Sequence, residues 1–130
     1  MKLAISSGAV DAILSHARAE HPREVCGLLI GTPGQVTHVV SAANVAARPE
    51  AIFEIDPATL LRAHREARGG GGGVLGHYHS HPNGRVGPSR ADAARAATDG
   101  QVWLIAANDS VTAWTMSAEG FGAVELAVTA

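Results

Sequence analysis

The chain has 130 residues, enough for one domain built around a single core of two or three layers. Hydrophobic residues make up 46% and charged residues 17%, which excludes an intrinsically disordered chain. Ten basic against twelve acidic residues leave a formal charge of −2, and Lys2 is the only lysine, which excludes a nucleic-acid partner bound through a basic face.

The first residues, Met1 to Ile5, begin an apolar stretch that Ser6, Ser7 and Asp11 interrupt, so it does not read as a secretory signal. No apolar run reaches the roughly 20 residues of a membrane span, and no membrane partner is expected. Ser6 and Ser7 predict the cap of a helix starting near Gly8, whose apolar face is Val10, Ile13, Leu14 and Ala17 and which Pro22 stops. Val25 to Ile30 reads as a buried strand. It holds Cys26, the only cysteine, which excludes an internal disulfide and any zinc site of several thiolates and fits the cytoplasm. A turn at Thr32-Pro33-Gly34 leads to a second strand over Val36–Val40, forming a hairpin.

Residues 41–51 read as loop, and Ile52–Ile55 as a short strand. Asp56-Pro57 predicts a second helix, carrying Leu60, Leu61 and His64 and ending at the run Gly69–Gly73. The five glycines read as a connector; the lysine and following helix of a phosphate-binding loop are missing. Then come a strand over Val74–His81, a loop over Pro82–Pro88 and a third helix over Ser89–Thr98. Closing strands follow over Val102–Ala107, Val111–Met116 and Phe121–Val128, with Asn108-Asp109 as a hairpin turn. The expected fold is a single α/β domain over residues 1–130, a mixed, mostly antiparallel sheet flanked by helices.

The unusual feature is Gly76-His77-Tyr78-His79-Ser80-His81-Pro82. On a strand, residues two apart lie about 6.6 Å apart on one face, so His79 and His81 are placed to share a metal. Asp92, in the first turn of the third helix, could complete a two-histidine, one-carboxylate set with a position open for water. Each part also has a purely structural reading. A histidine pair on a strand need bind nothing, and Ser89-x-x-Asp92 is a capping box in its own right.

Taken together, His79-x-His81-Pro82, Ser89 and Asp92, with Glu24 ahead of Val25-Cys26-Gly27-Leu28-Leu29, resemble the signature of the JAMM, or MPN-domain, zinc metalloproteases. The resemblance spans essentially the whole chain and implies an α-β-α fold like that of MPN and cytidine-deaminase domains. It also implies one Zn²⁺ per chain on His79, His81 and Asp92, with Glu24 as general base and Ser89 as oxyanion donor. The implied reaction is hydrolysis of the bond after the C-terminal Gly-Gly of a ubiquitin-like or sulfur-carrier protein. The short chain resembles the minimal prokaryotic members. His77, on the same strand face, reads as a buried neighbour of the site, Cys26 as a buried strand residue and Arg85 as a solvated loop residue. The alternative is a non-catalytic scaffold of the same fold. A zinc nucleoside deaminase is disfavoured, because its His-x-Glu and paired cysteines are absent.

Overall fold

The computed structural model describes residues 2–130. Its elements run β1 (Lys2–Ser6), α1 (Ser7–Glu20), β2 (Cys26–Thr32), β3 (Gln35–Ala42), α2 (Pro57–Arg68), β4 (Gly73–Ser80), α3 (Arg90–Arg95), β5 (Val102–Ala107), β6 (Ser110–Ser117) and β7 (Gly120–Thr129). The sheet is mixed, with β2–β3, β2–β4, β5–β6 and β6–β7 antiparallel and β4–β5 parallel.

The sheet flanked by helices is there, and it also closes into a barrel in the order β1-β3-β2-β4-β5-β6-β7. The closing strand, β1, has no counterpart in the sequence reading. It pairs in parallel with β7 through Leu3↔Leu126 and Ile5↔Val128, and with β3 through Ile5↔Val36. Its sequence signal is weak because a five-residue strand buries only Leu3 and Ile5, too few positions for alternation to stand out.

Both helices begin as the capping residues predict. The Ser6 hydroxyl accepts from Ala9 N–H at 3.1 Å, and Asp56 Oδ1 accepts from Ala58 N–H at 3.3 Å with Pro57 in the first turn. They cover opposite faces of the β2–β4 pair. Ile13 of α1 packs in the cluster that contains Leu29 and Tyr78, while Leu60 and Ala63 of α2 pack with Leu28, Ile30 and Val74. A strand buried on both faces must be apolar along its length, which is why Val25–Ile30 reads as a continuous run. Gly27 is required here: a Cβ at this position would lie 2.2 Å from the Tyr78 ring, which crosses over β2.

Two elements are shorter than expected. Ile52–Ile55 is extended but makes only one bridge, Asn44↔Ile55. The Asn44 side chain takes the place of a strand partner, donating to Ile52 C=O at 3.1 Å and accepting from Glu54 N–H at 3.0 Å. The third helix ends at Arg95, not Thr98, and buries only Asp92. With one buried residue to anchor it, nothing offsets the cost of further turns.

Candidate metal centre

The centre forms at the end of β4, where three elements meet. Antiparallel pairing sets Cys26 opposite His79. One step further along, Ser80 N–H donates to Val25 C=O at 3.1 Å and Val25 N–H donates to the Ser80 hydroxyl at 2.9 Å. This continued register carries Glu24 to His81, across 57 residues of sequence. His81 is fixed in turn by donation of its N–H to Ala106 C=O at 2.9 Å, from the end of β5. The third element is the first turn of α3. Asp92 N–H donates to the Ser89 hydroxyl at 3.0 Å and Ser89 N–H donates to Asp92 Oδ2 at 2.9 Å, a complete capping box.

Three atoms converge. His79 Nε2 and His81 Nε2 are 3.1 Å apart, and Asp92 Oδ2 lies 3.3 Å from the first and 3.1 Å from the second. Ligands bound tetrahedrally at about 2.0–2.1 Å stand about 3.3 Å from one another. The triangle therefore has nearly the size of one face of such a site. One carboxylate oxygen of Glu24 lies within 4.8 Å of a ring nitrogen of both histidines.

The hydrogen bonds behind the triangle show which protons are available. His81 Nδ1 lies 2.8 Å from Arg85 C=O, which can only accept, so Nδ1 carries the proton. In neutral His81, Nε2 is then a lone pair aimed at the lone pairs of Asp92 Oδ2 and, within the triangle, at His79 Nε2. A proton on one of the two Nε2 atoms, or a cation among the three, bridges such an arrangement. A divalent cation fits, and without one a proton on His81 serves. Burial alone would lower His81, but the bonds to Asp92 and to Arg85 C=O outweigh it and raise its pKa. Burial lowers His79. Burial would raise Asp92, yet the two histidines and Ser89 N–H hold it well below the usual carboxylate range. Glu24, 7% exposed, is pushed up to about 7, first by burial and further by the charge of Asp92, against the opposing pull of His81 and Arg95.

Residues 6–117 match the family model described as prokaryotic homologs of the JAB domain. The chain belongs to this JAB-domain family. Desampylase of Haloferax volcanii is 36% identical over 98% of this chain and 96% of its own length. The probable TtuB-protein conjugate cleaving protease of Thermus thermophilus is 33% identical over 72% of this chain and 63% of its own. The CysO-cysteine peptidase of Mycobacterium tuberculosis is 30% identical over 82% of this chain and 75% of its own. Among solved structures, protein DSY2949 from Desulfitobacterium hafniense superposes with a TM-score of 0.86 at 28% identity, covering 99% of this chain and 93% of that one.

All five residues singled out in the sequence come together in this JAB domain: His79, His81 and Asp92 in the triangle, Glu24 beside it and Ser89 at the cap. The Ser89 Oγ accepts from Asp92 N–H, which leaves its hydroxyl proton available to donate. The Arg85 side chain folds back on its own loop, its Nε donating to Pro88 C=O at 3.2 Å, so it is the main-chain carbonyl of Arg85 that reaches the site.

Four supporting residues escaped the sequence reading. Asn44 donates to Glu24 C=O at 2.9 Å and so ties the glutamate segment to the Ile52–Ile55 stretch. Ser80 links that segment to β4. Phe53 stacks on His79 with ring centroids 4.3 Å apart and 18° between planes, and Arg95 lies over the Phe53 ring and donates to its C=O. Asn44 and Phe53 carry no motif. Only the fold brings them to the histidines.

Cys26 is fully buried, with its thiol facing Ala43 C=O at 3.6 Å. Burial first, then the charge of Glu24, pushes it up to about 12, so no useful thiolate exists near neutral pH. The expected result is that Cys26→Ala keeps its hydrolytic rate within about twofold and that iodoacetamide at pH 8 leaves the folded wild type active. Inactivation of the wild type but not of the variant would place a thiol in the chemistry.

Proposed function

We propose that this JAB domain is a zinc-dependent peptidase that hydrolyses the bond following the C-terminal Gly-Gly of a ubiquitin-like or sulfur-carrier protein. His79, His81 and Asp92 hold the metal in this reading, and Glu24 carries the proton. The observation that carries it is the convergence of two imidazole lone pairs and a carboxylate oxygen at 3.1–3.3 Å, with a second, buried carboxylate alongside. The names of the relatives support the substrate class: one describes cleavage of a TtuB–protein conjugate and another a CysO-cysteine peptidase. Among the described residues no helix is long and apolar enough to cross a membrane. The single free, buried cysteine supports action in a reducing compartment such as the cytoplasm.

A zinc held by His79, His81 and Asp92 would supply Lewis acidity. Glu24, as the carboxylate, takes a proton from the attacking water and returns it to the departing amine. The Ser89 hydroxyl donates to the carbonyl oxygen as negative charge develops there. Burial of Glu24, His79 and Asp92 limits competing solvent and strengthens each of these interactions.

The direct test is a ubiquitin-like carrier extended past its Gly-Gly by one cysteine or by a fused protein, followed by mass spectrometry. The expected product ends at Gly-Gly, is not formed after zinc is stripped with a chelator, and reappears on zinc addition. A zinc-loaded protein that leaves every such substrate intact would favour the scaffold reading.

The pH profile has a defined sign. A general base acts when deprotonated, so kcat/KM rises with pH through the Glu24 titration. That titration lies at about 7 in the metal-free protein, and a cation beside it favours the carboxylate and draws it lower. The acid limb is therefore expected at or below pH 7. A limb centred above pH 8 would assign it to another group.

A further inference from the structure

His77 lies on the same face of β4 as His79, and the chemistry above leaves it without a task. His77 is 9% exposed and its ring is fixed on two sides. Phe53 stacks on it with centroids 4.9 Å apart at 25°, and Trp103, its β5 neighbour in register, meets it edge-on at 4.5 Å and 81°. His77 Nε2 points at His79 Nδ1, 3.0 Å away, on the side of the His79 ring remote from the triangle.

Proton accounting decides the direction of that hydrogen bond. His81 has a main-chain carbonyl behind it to fix its tautomer, whereas the group behind His79 is another imidazole. A neutral His79 with a free lone pair on Nε2 must carry its proton on Nδ1. The group facing that proton must then accept, so His77 keeps its own proton on Nδ1 and presents a bare Nε2. We propose that His77 is a positioning residue for the metal centre: by accepting from His79 Nδ1–H it locks the tautomer and ring plane that aim His79 Nε2 at the cation. The inference rests on the metal-centre reading above. Ligating histidines are commonly oriented in this way, and loss of the partner weakens metal binding about 10–100-fold.

The test is the zinc dissociation constant, measured by chelator competition, for wild type, His77→Phe, His77→Gln and His79→Ala. Phenylalanine keeps a stacking ring but cannot accept, and a 10–100-fold weaker affinity is expected. Glutamine places an amide oxygen about where Nε2 stands, and recovery to within a few-fold of wild type is expected. Wild-type affinity in His77→Phe, or equal weakening in both variants, would overturn the positioning role while leaving the metal centre intact. Absence of zinc binding by the wild type itself would overturn the metal-centre reading and this inference with it. A second measurement needs no variant: two-bond ¹H–¹⁵N spectra of the histidine rings in the zinc-loaded protein. The expected spectrum shows His77 protonated on Nδ1 and bare on Nε2; a proton on His77 Nε2 would overturn the proposal even if both variants failed to fold.

Discussion

Glu24→Gln is expected to lower kcat about 10²–10⁴-fold while zinc stays at one per chain. The magnitude is that of losing a positioned general acid–base group. Glutamine matches glutamate in shape, so the main-chain bonds that seat residue 24 survive: Glu24 N–H to Pro49 C=O at 2.7 Å and Asn44 Nδ2 to Glu24 C=O at 2.9 Å. What disappears is the ability to take up a proton. Asp92 Oδ2 stands 3.1 and 3.3 Å from the two histidines and completes the triangle without Glu24, which is why the metal should remain. Because Glu24 is a buried acid pushed up to about 7, neutralising it removes a charge that burial disfavours, and the variant should melt no lower than wild type. Metal analysis and turnover on the same preparation check this. Loss of zinc in Glu24→Gln would make Glu24 a ligand and leave the proton-transfer role unassigned.

Substitution of Asp92 separates two functions of one side chain. Asp92 Oδ2 meets both histidines and also accepts from Ser89 N–H to close the cap of α3. Asp92→Ala removes both, and the expected result is loss of bound zinc together with about 1 kcal/mol of cap stability, a few degrees in Tm. Asp92→Asn keeps an amide oxygen that can accept from Ser89 N–H but loses the negative charge. Zinc binding should then fall sharply, and the metal-free protein should melt between Asp92→Ala and wild type, because the cap bond survives while the charge that the histidines hold is lost. Zinc retained in Asp92→Ala with a lowered Tm would reduce Asp92 to a helix cap.

The site was legible in the sequence because it depends on two short-range regularities. Alternation along a strand puts His79 and His81 on one face, and the Ser89-x-x-Asp92 box fixes a carboxylate in a helical first turn. Both are set by a few neighbouring residues, and both hold in the structure. Glu24 was different in kind: its place beside His81 follows from the β2–β4 register, which no local spacing encodes, and its selection rested on likeness to a family. Phe53, Asn44 and Ser80 stayed hidden for the same reason. The fold followed the same division. The helix starts at Ser6 and Asp56-Pro57 and the doubly buried Val25–Ile30 strand carry strong local signals. Barrel closure depends on β1, whose contribution is two buried side chains paired with residues more than thirty and more than one hundred and twenty positions away. The early end of α3 likewise reflects an absence of packing partners, which alanine-rich sequence alone does not reveal.

The most direct test of the metal centre is the zinc content of the purified protein by elemental analysis, with His79→Ala prepared alongside. About one zinc per chain in the wild type, and next to none in the variant, is the predicted result. A wild type that holds no zinc even after the metal is supplied would contradict it, leaving the histidine–aspartate triangle as a proton-bridged structural cluster.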